Sequence, residues 1–274
     1  MIWLNGTLRP AENAVSANDR GLLLGEAVFE TLLVDNNVPQ FWAAHNERLF
    51  AACAALGFER RFSAAALADG VRLLLAENVS DAARRVLRLT VTGGAGGRGL
   101  VAGKKTDSNW LMQISSAPTP PDYLRLFESD TMVLAGAVHQ AHKTTNYLDN
   151  ILARRAALQA DADEAIMLNQ HGRVAAAAAG NLFVQKGRQL ITPPLSEGAL
   201  PGIIRAALLA SGDKSGLGVT EGLIGRDLLA KADALFVSNS VNLIVPAGFD
   251  AAVSQAQKKQ GLALRQALPH FTDF

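Results

Sequence analysis

His142-Lys143-Thr144-Thr145-Asn146-Tyr147 sets one lysine in a short polar stretch just ahead of a segment with helical spacing, about Tyr147 to Ala160. Two readings of Lys143 stand here. A lysine in such a place is ordinarily a solvated surface residue. The other reading is a Schiff-base lysine, which needs a depressed pKa to be nucleophilic. The stretch itself does not choose between them.

Upstream of this stretch lies Ser116-Ala117-Pro118-Thr119-Pro120-Pro121. Prolines fix φ and remove donors, so this run reads as a stiff connection. It divides the chain into an N-terminal α+β domain over 1–115, a linker over 116–121 and a C-terminal domain over 122–274. The first 35 residues read as β structure, with Ile2–Leu4 and Thr7–Arg9 joined at Asn5-Gly6, a pair suited to a type I′ turn. Val28–Asp35, Arg85–Thr92 and Trp110–Ser115 read as strands, and Phe41–Leu56 has helical spacing. Ser63 is placed to cap a helix reaching about Asn78. In the second half, Leu124–Phe127, Thr131–Ala135, Ala165–Asn169, Leu182–Gln185, Gln189–Thr192 and Leu235–Ser238 read as strands. Gly202–Ser211, Arg226–Ala232 and Ala252–Ala267 read as helices. The expectation is two α+β domains with a cleft between them, a common place for a small-molecule site.

The 274 residues carry 26 basic and 25 acidic side chains, and 49% are apolar. That balance argues against a nucleic-acid binder that neutralises many phosphates. No apolar stretch approaches the ~20 residues that span a bilayer, and Met1–Pro10 lacks the pattern of a signal peptide. The single cysteine, Cys53, excludes an internal disulfide and reads as a small core filler. The expectation is a soluble, cytoplasmic protein.

Other chemistries find little support. His139 and His142 are three apart, without HExxH, paired cysteines or an Asp-rich loop, so no metal site is expected. No GxSxG element serves a Ser-His-Asp site. Gly103-Lys104-Lys105-Thr106 fails as a Walker loop, because Lys105 intervenes before Thr106 and the glycine spacing is short. The Gly93–Gly99 run either supplies positive φ to a hairpin or presents Arg98, whose guanidinium can fork onto a carboxylate.

The neighbours of Lys143 extend the argument. Six blocks occur in order: Asp19-Arg20-Gly21 with Gly25 and Phe29-Glu30-Thr31; His45-Asn46-Glu47-Arg48-Leu49; Lys143-Thr144-Thr145-Asn146; Asp163-Glu164-Ala165 with Gly172-Arg173-Val174 and Asn181-Leu182-Phe183; Pro201-Gly202-Ile203-Ile204-Arg205; and Ser238-Asn239-Ser240 with Pro246. Across nearly its full length the chain resembles the class IV (fold type IV) pyridoxal-phosphate enzymes. These include branched-chain and D-amino-acid aminotransferases and 4-amino-4-deoxychorismate lyase.

The resemblance implies a two-domain α+β fold of the D-amino-acid aminotransferase type, with a smaller N-terminal and a larger C-terminal domain. It implies pyridoxal 5′-phosphate on Lys143, with its phosphate held by Arg48, by the N–H groups of Ile203 and Ile204 after Gly202, and by Asn239 and Ser240. A helix N-terminus suits such an anion. It also implies a homodimer with the site between the domains, acting on a small molecule. Gly96-Gly97-Arg98-Gly99 and the spacing from Ser238 to Pro246 resemble the lyase subgroup, with Arg98 contacting a substrate carboxylate. The alternatives are an aminotransferase, a cofactor-binding protein with little turnover, and an aldolase that uses Lys143 without the cofactor.

One position departs from the family. Where the family has a glutamate that pairs with the cofactor's pyridine nitrogen, this chain has Ala176, and no Asp or Glu lies between Glu164 and Glu197. An engineered change, a natural enzyme needing less electron withdrawal and a degenerate homologue all fit the sequence.

Overall fold

In a computed structural model, which describes residues 1–12, 14–96, 99–101, 107–250, 252–269 and 274, Asn5-Gly6 turns β1 (Ile2–Leu4) back onto β2 (Thr7–Arg9). Both turn residues have positive φ, 52° and 97°, as a type I′ hairpin requires. Asp19 caps α1 (Arg20–Leu24) through Gly21 N–H and also accepts from Thr92 Oγ1 at 2.7 Å and Asn109 Nδ2 at 2.8 Å. This short helix corrects the all-β expectation for the first 35 residues. The capping carboxylate makes it.

The next elements follow the sequence pattern closely. They are β3 (Ala27–Asp35), β4 (Val38–Pro39), α2 (Trp42–Ala55), α3 (Ala64–Glu77), β5 (Arg84–Thr92) and β6 (Asn109–Ser116). Ser63 Oγ accepts from Ala66 N at 3.1 Å and starts α3. The six strands pair in the order β2-β1-β6-β5-β3-β4, antiparallel throughout. Val28, Leu32 and Val34 of β3 and Leu87, Leu89 and Val91 of β5 share one core with Leu49 of α2 and Leu67, Val71 and Leu74 of α3. Successive strand residues point to opposite faces. Glu30, between Val28 and Leu32, therefore also points at the helices.

The chain divides into two compact units. The first comprises Met1–Pro118 together with His142–Asn146 and Phe274, and the second Thr119–Ala141 with Tyr147 to Pro269. The stretch that carries Lys143 thus belongs with the N-terminal residues, where the sequence reading assigned it to 122–274. Backbone pairing is the reason. Phe29 N–H donates to Lys143 O at 2.9 Å and Thr145 N–H to Ala27 O at 3.0 Å. The stretch covers the Ala27–Phe29 end of β3, while β4 covers the Val34–Asp35 end.

The second unit holds β7 (Leu124–Val133), α4 (Leu148–Gln159), β8 (Glu164–Asn169), β9 (Val174–Ala177), β10 (Asn181–Lys186), β11 (Gln189–Thr192), α5 (Ile203–Ser211), β12 (Gly218–Glu221), α6 (Arg226–Ala230), β13 (Ala234–Asn239), β14 (Leu243–Gly248) and α7 (Gln255–Ala267). Its eight strands run β12-β11-β10-β13-β14-β7-β8-β9. Ala177, at one end of that order, bridges to Gly180 beside β10, so the sheet curls on itself. Apolar residues such as Ile166, Leu182, Val237 and Val245 form one core, and Ala153 and Ala157 of α4 pack with Ala165 and Met167 in another. The two strands expected at 124–127 and 131–135 are one strand, β7, with an irregularity after Ser129, whose Oγ accepts from Thr131 N at 3.0 Å. Among the described residues no helix is long and apolar enough to cross a membrane.

Candidate active site

A carboxylate on the core face of a strand is costly unless it is paired. Glu30 is 2% exposed. Its partners come from α2, where His45 and Arg48 stand three apart and so share a helix face. Arg48 Nε donates to Glu30 Oε1 at 2.8 Å and Nη2 to Oε2 at 2.6 Å, a bidentate pair. His45 Nδ1 lies 2.6 Å from Oε2. Burial pushes the Glu30 pKa up, but the hydrogen bonds and charges of Arg48 and His45 outweigh it and hold the carboxyl at about 2. Burial lowers the His45 pKa against the pull of Glu30, and Arg48 and Lys143 lower it further. A neutral imidazole donating from Nδ1 leaves Nε2 as a bare acceptor, and Nε2 is buried with no hydrogen-bond partner.

Lys143 completes this cluster. The residue is half-buried, and its Nζ stands 4.2 Å from the centroid of the Phe29 ring. Arg88 Cζ lies 3.8 Å from the same centroid. Loss of water and the nearby Arg48 charge push the Lys143 amine down to about 7, with Glu30 pulling up and Arg88 pushing down. A lysine amine near that value is a nucleophile and a base at neutral pH. The stretch is held in place at Gly25, where a Cβ would overlap Asn146 Oδ1, and by Thr145 Oγ1 donating to Gly25 O at 3.2 Å.

In the second unit, the end of β13, the start of β10 and the entry to α5 meet. Asn181 pairs with Ser238 across the strands, and Asn181 Nδ2 donates to Leu200 O at 3.0 Å. Gly202 is the N-cap of α5 and leaves its first turn without a side-chain cap. A Cβ on Gly202 would overlap Asn181 Oδ1. Ile203 and Ile204 start the helix, and the buried Ser238 Oγ and Arg205 Nε have no hydrogen-bond partner. Uncapped N–H groups with an orphaned hydroxyl nearby are a donor set for a phosphate. Taken by itself, this donor set fits a phosphate, and the Lys143 amine, taken by itself, fits an aldehyde such as that of pyridoxal phosphate.

The other expected site residues fall as follows. Asn239 uses its amide locally: Oδ1 accepts from Val241 N at 3.1 Å and Asn242 N at 2.8 Å, and Nδ2 donates to Ala179 O at 3.2 Å. Ser240 lies in the turn between β13 and β14. Arg98 lies outside the described residues. Ala176 sits half-buried on β9, opposite Met167. The buried carboxylates described in this unit are already engaged, Glu164 with Arg154 at 3.0 Å and Glu197 with Arg173 at 2.6 Å. Sequence reading quoted Phe29, Glu30 and His45 without giving them a role, and it passed over Arg88. An acid at the core-facing position of an otherwise apolar strand was the available signal for Glu30.

The profile of the amino-transferase class IV family matches residues 27–248. A provisionally named branched-chain-amino-acid aminotransferase of Methanocaldococcus jannaschii is 31% identical over 89% of this chain and 86% of its own length. The aminodeoxychorismate lyase of Bacillus subtilis is 29% identical over 90% of this chain and 85% of its own length. The crystal structure of the branched-chain amino acid aminotransferase of Escherichia coli superposes with a TM-score of 0.86 at 24% identity, covering 94% of this chain and 91% of that one. The chain has the α+β fold of type IV and belongs to the class IV amino-transferase family, whose members use pyridoxal phosphate.

Proposed function

We propose that the chain is a pyridoxal-phosphate-dependent lyase that converts 4-amino-4-deoxychorismate to 4-aminobenzoate and pyruvate, a step toward folate. The observation that carries the cofactor chemistry is the placement of Lys143, whose stretch pairs with β3 through Phe29 N–H and Ala27 O and whose amine is pushed down to about 7 by loss of water and the nearby Arg48 charge. The lyase assignment is supported by the Gly96–Gly99 run, by the Ser238 to Pro246 spacing and by the likeness to the Bacillus subtilis lyase. Lys143 would hold the cofactor through its amine, and the Ile203 and Ile204 N–H groups, with Arg48, Asn239 and Ser240, would hold its phosphate. When bound, the cofactor supplies an electron sink for the substrate carbon that bears the amino group.

Once the substrate amine has displaced it from the cofactor, the freed Lys143 amine, in its neutral form, would accept the proton from that ring carbon. The enolpyruvyl oxygen then leaves and the ring aromatises. The Lys143 ammonium returns the proton to the methylene carbon of the departing group, which gives pyruvate. Arg98 receives a substrate carboxylate. The protein acts as a homodimer.

The second reading is an aminotransferase on the same scaffold, favoured by the 31% identity to the Methanocaldococcus jannaschii protein. Incubation with 4-amino-4-deoxychorismate and the cofactor separates the two. Formation of 4-aminobenzoate and pyruvate in equal amounts is expected. Transfer of an amino group from an amino acid to a 2-oxo acid, with no 4-aminobenzoate, overturns the lyase reading.

A further inference from the structure

We propose that Arg20 is a positioning residue for substrate: its buried guanidinium holds the Gly99–Leu100 end of the loop between β5 and β6, and so sets the place from which Arg98, one residue earlier, reaches the substrate carboxylate. This rests on the reading of Arg98 as the carboxylate contact. Arg98 itself lies outside the described residues, and its neighbours Gly99 and Leu100 lie within them. Arg20 is 2% exposed. Its Nε donates to Glu26 Oε2, its Nη1 to Gly99 O at 3.0 Å and its Nη2 to Leu100 O at 2.9 Å. A guanidinium is a rigid planar fork, so fixing one edge at Glu26 aims the remaining donors at one place.

The same short stretch holds the rest of the loop. Arg20 N–H donates to Gly94 O at 2.8 Å. Asp19 bridges to Ala95 and accepts from Thr92 Oγ1 and Asn109 Nδ2, the last residue of β5 and the first of β6. Asp19 and Arg20 thus bind the stem of the loop at Thr92 and Asn109, one arm at Gly94–Ala95 and the other at Gly99–Leu100. The hold on the second arm is polar. The Leu100 and Val101 side chains are 86% and 87% exposed, so apolar burial does little to fix them. Hydrogen bonds from a charged donor are the stronger kind. Gly99 has φ 104°, and no heavy atom lies within 4 Å of where a Cβ would stand. Glycine there serves the left-handed backbone rather than a close approach. Two successive carbonyls meet one guanidinium at that point. Placement matters, because a contact group misplaced by ~1 Å can cost about a hundredfold in rate.

The test is Arg20→Lys in the full-length chain. Lysine keeps a charge beside Glu26 but is a single point donor and cannot serve two carbonyls as a fork does. With cofactor bound, kcat/KM is read in the parent and in an Arg98→Gln background. Arg20→Lys is expected to lower it about tenfold or more in the parent. In the Arg98→Gln chain, where the group being placed is gone, the loss is expected to stay within about twofold. Equal losses in the two backgrounds make Arg20 a residue of the fold alone and overturn the proposal, as does no loss in the parent. Gly99→Ala, which strains the backbone at φ 104° and leaves Arg20 intact, should give the same unequal pattern, and equal losses there also count against it. A second readout needs no activity. Amide exchange across Gly93 to Leu100 in the cofactor-free chain should quicken about tenfold or more in Arg20→Lys, and unchanged exchange removes the anchor. A chain that forms no 4-aminobenzoate loses the lyase reading alone. The same cycle is then read on amino transfer to a 2-oxo acid, whose carboxylate Arg98 would meet. An Arg98→Gln change without effect on kcat/KM in a chain that does form 4-aminobenzoate removes the positioning role and leaves the lyase reading standing.

Discussion

Glu30 and Arg48 form a two-pronged pair, 2.8 and 2.6 Å, between the core face of β3 and α2. The pair sits against the Lys143 cluster and ties the helix to the strand beneath the amine. Removing one member of a buried pair leaves the other charge uncompensated. Glu30→Ala should cost about 3–5 kcal/mol of stability, read as a lower urea midpoint with an unchanged slope. A loss within ~0.5 kcal/mol, the usual range for a surface site, would mean that the pair contributes little to the fold.

The same carboxylate sets the acid limb of stability. Its folded pKa of about 2 lies below the ordinary 4.5. The unfolded chain therefore binds the proton first as pH falls. The contribution of Glu30 is complete above about 4.5 and is lost between there and about 2. Unfolding free energy against pH should fall less steeply through this window in Glu30→Gln than in the parent chain. Parallel curves would contradict the depressed value.

Lys143 works in the opposite sense. Its folded value near 7 lies below the ordinary 10.5, so the buried amine costs stability in full below about 7, and the cost fades as pH rises toward 10.5. In the cofactor-free chain, Lys143→Met should melt higher than the parent at pH 6, and the gap should shrink by pH 10. A gap that widens with pH would refute the lowered value.

Gly202 tests the phosphate end. Alanine there would overlap Asn181 Oδ1 at the entry to α5. Gly202→Ala should weaken cofactor binding about tenfold or more, equivalent to at least one lost charge-assisted hydrogen bond, with Lys143 still reactive toward acetic anhydride. Unaltered cofactor affinity would move the phosphate away from this helix.

Much of this was legible in the sequence, for local reasons. Asn5-Gly6, Ser63 and the alternation of β5 each act within a few residues. Val174–Ala177 was not legible as a strand, since an alanine run carries neither period nor β preference, and its place is set by Ile166 and Met167 across the sheet. Leu243–Gly248 was hidden by Pro246. Gly218–Glu221 is an edge strand, four residues long, defined by its parallel partner β11. The lysine and the Gly202 turn stood out as motifs. The Glu30–His45–Arg48 cluster and the Arg88–Phe29–Lys143 contacts depend on pairings between distant elements, which spacing alone does not reveal.

Ala176 stands where relatives are expected to carry a glutamate. Ala176→Glu should restore a charged partner to the pyridine nitrogen and raise turnover by about one to two decades, the equivalent of a charge-assisted hydrogen bond expressed in the transition state. Equal turnover of the two chains would mean that this enzyme does without the carboxylate.

The most direct measurement is borohydride reduction of the chain with pyridoxal phosphate, followed by peptide mapping. The account predicts a single pyridoxyl adduct, on Lys143. An unmodified Lys143, or an adduct on another lysine, would contradict it.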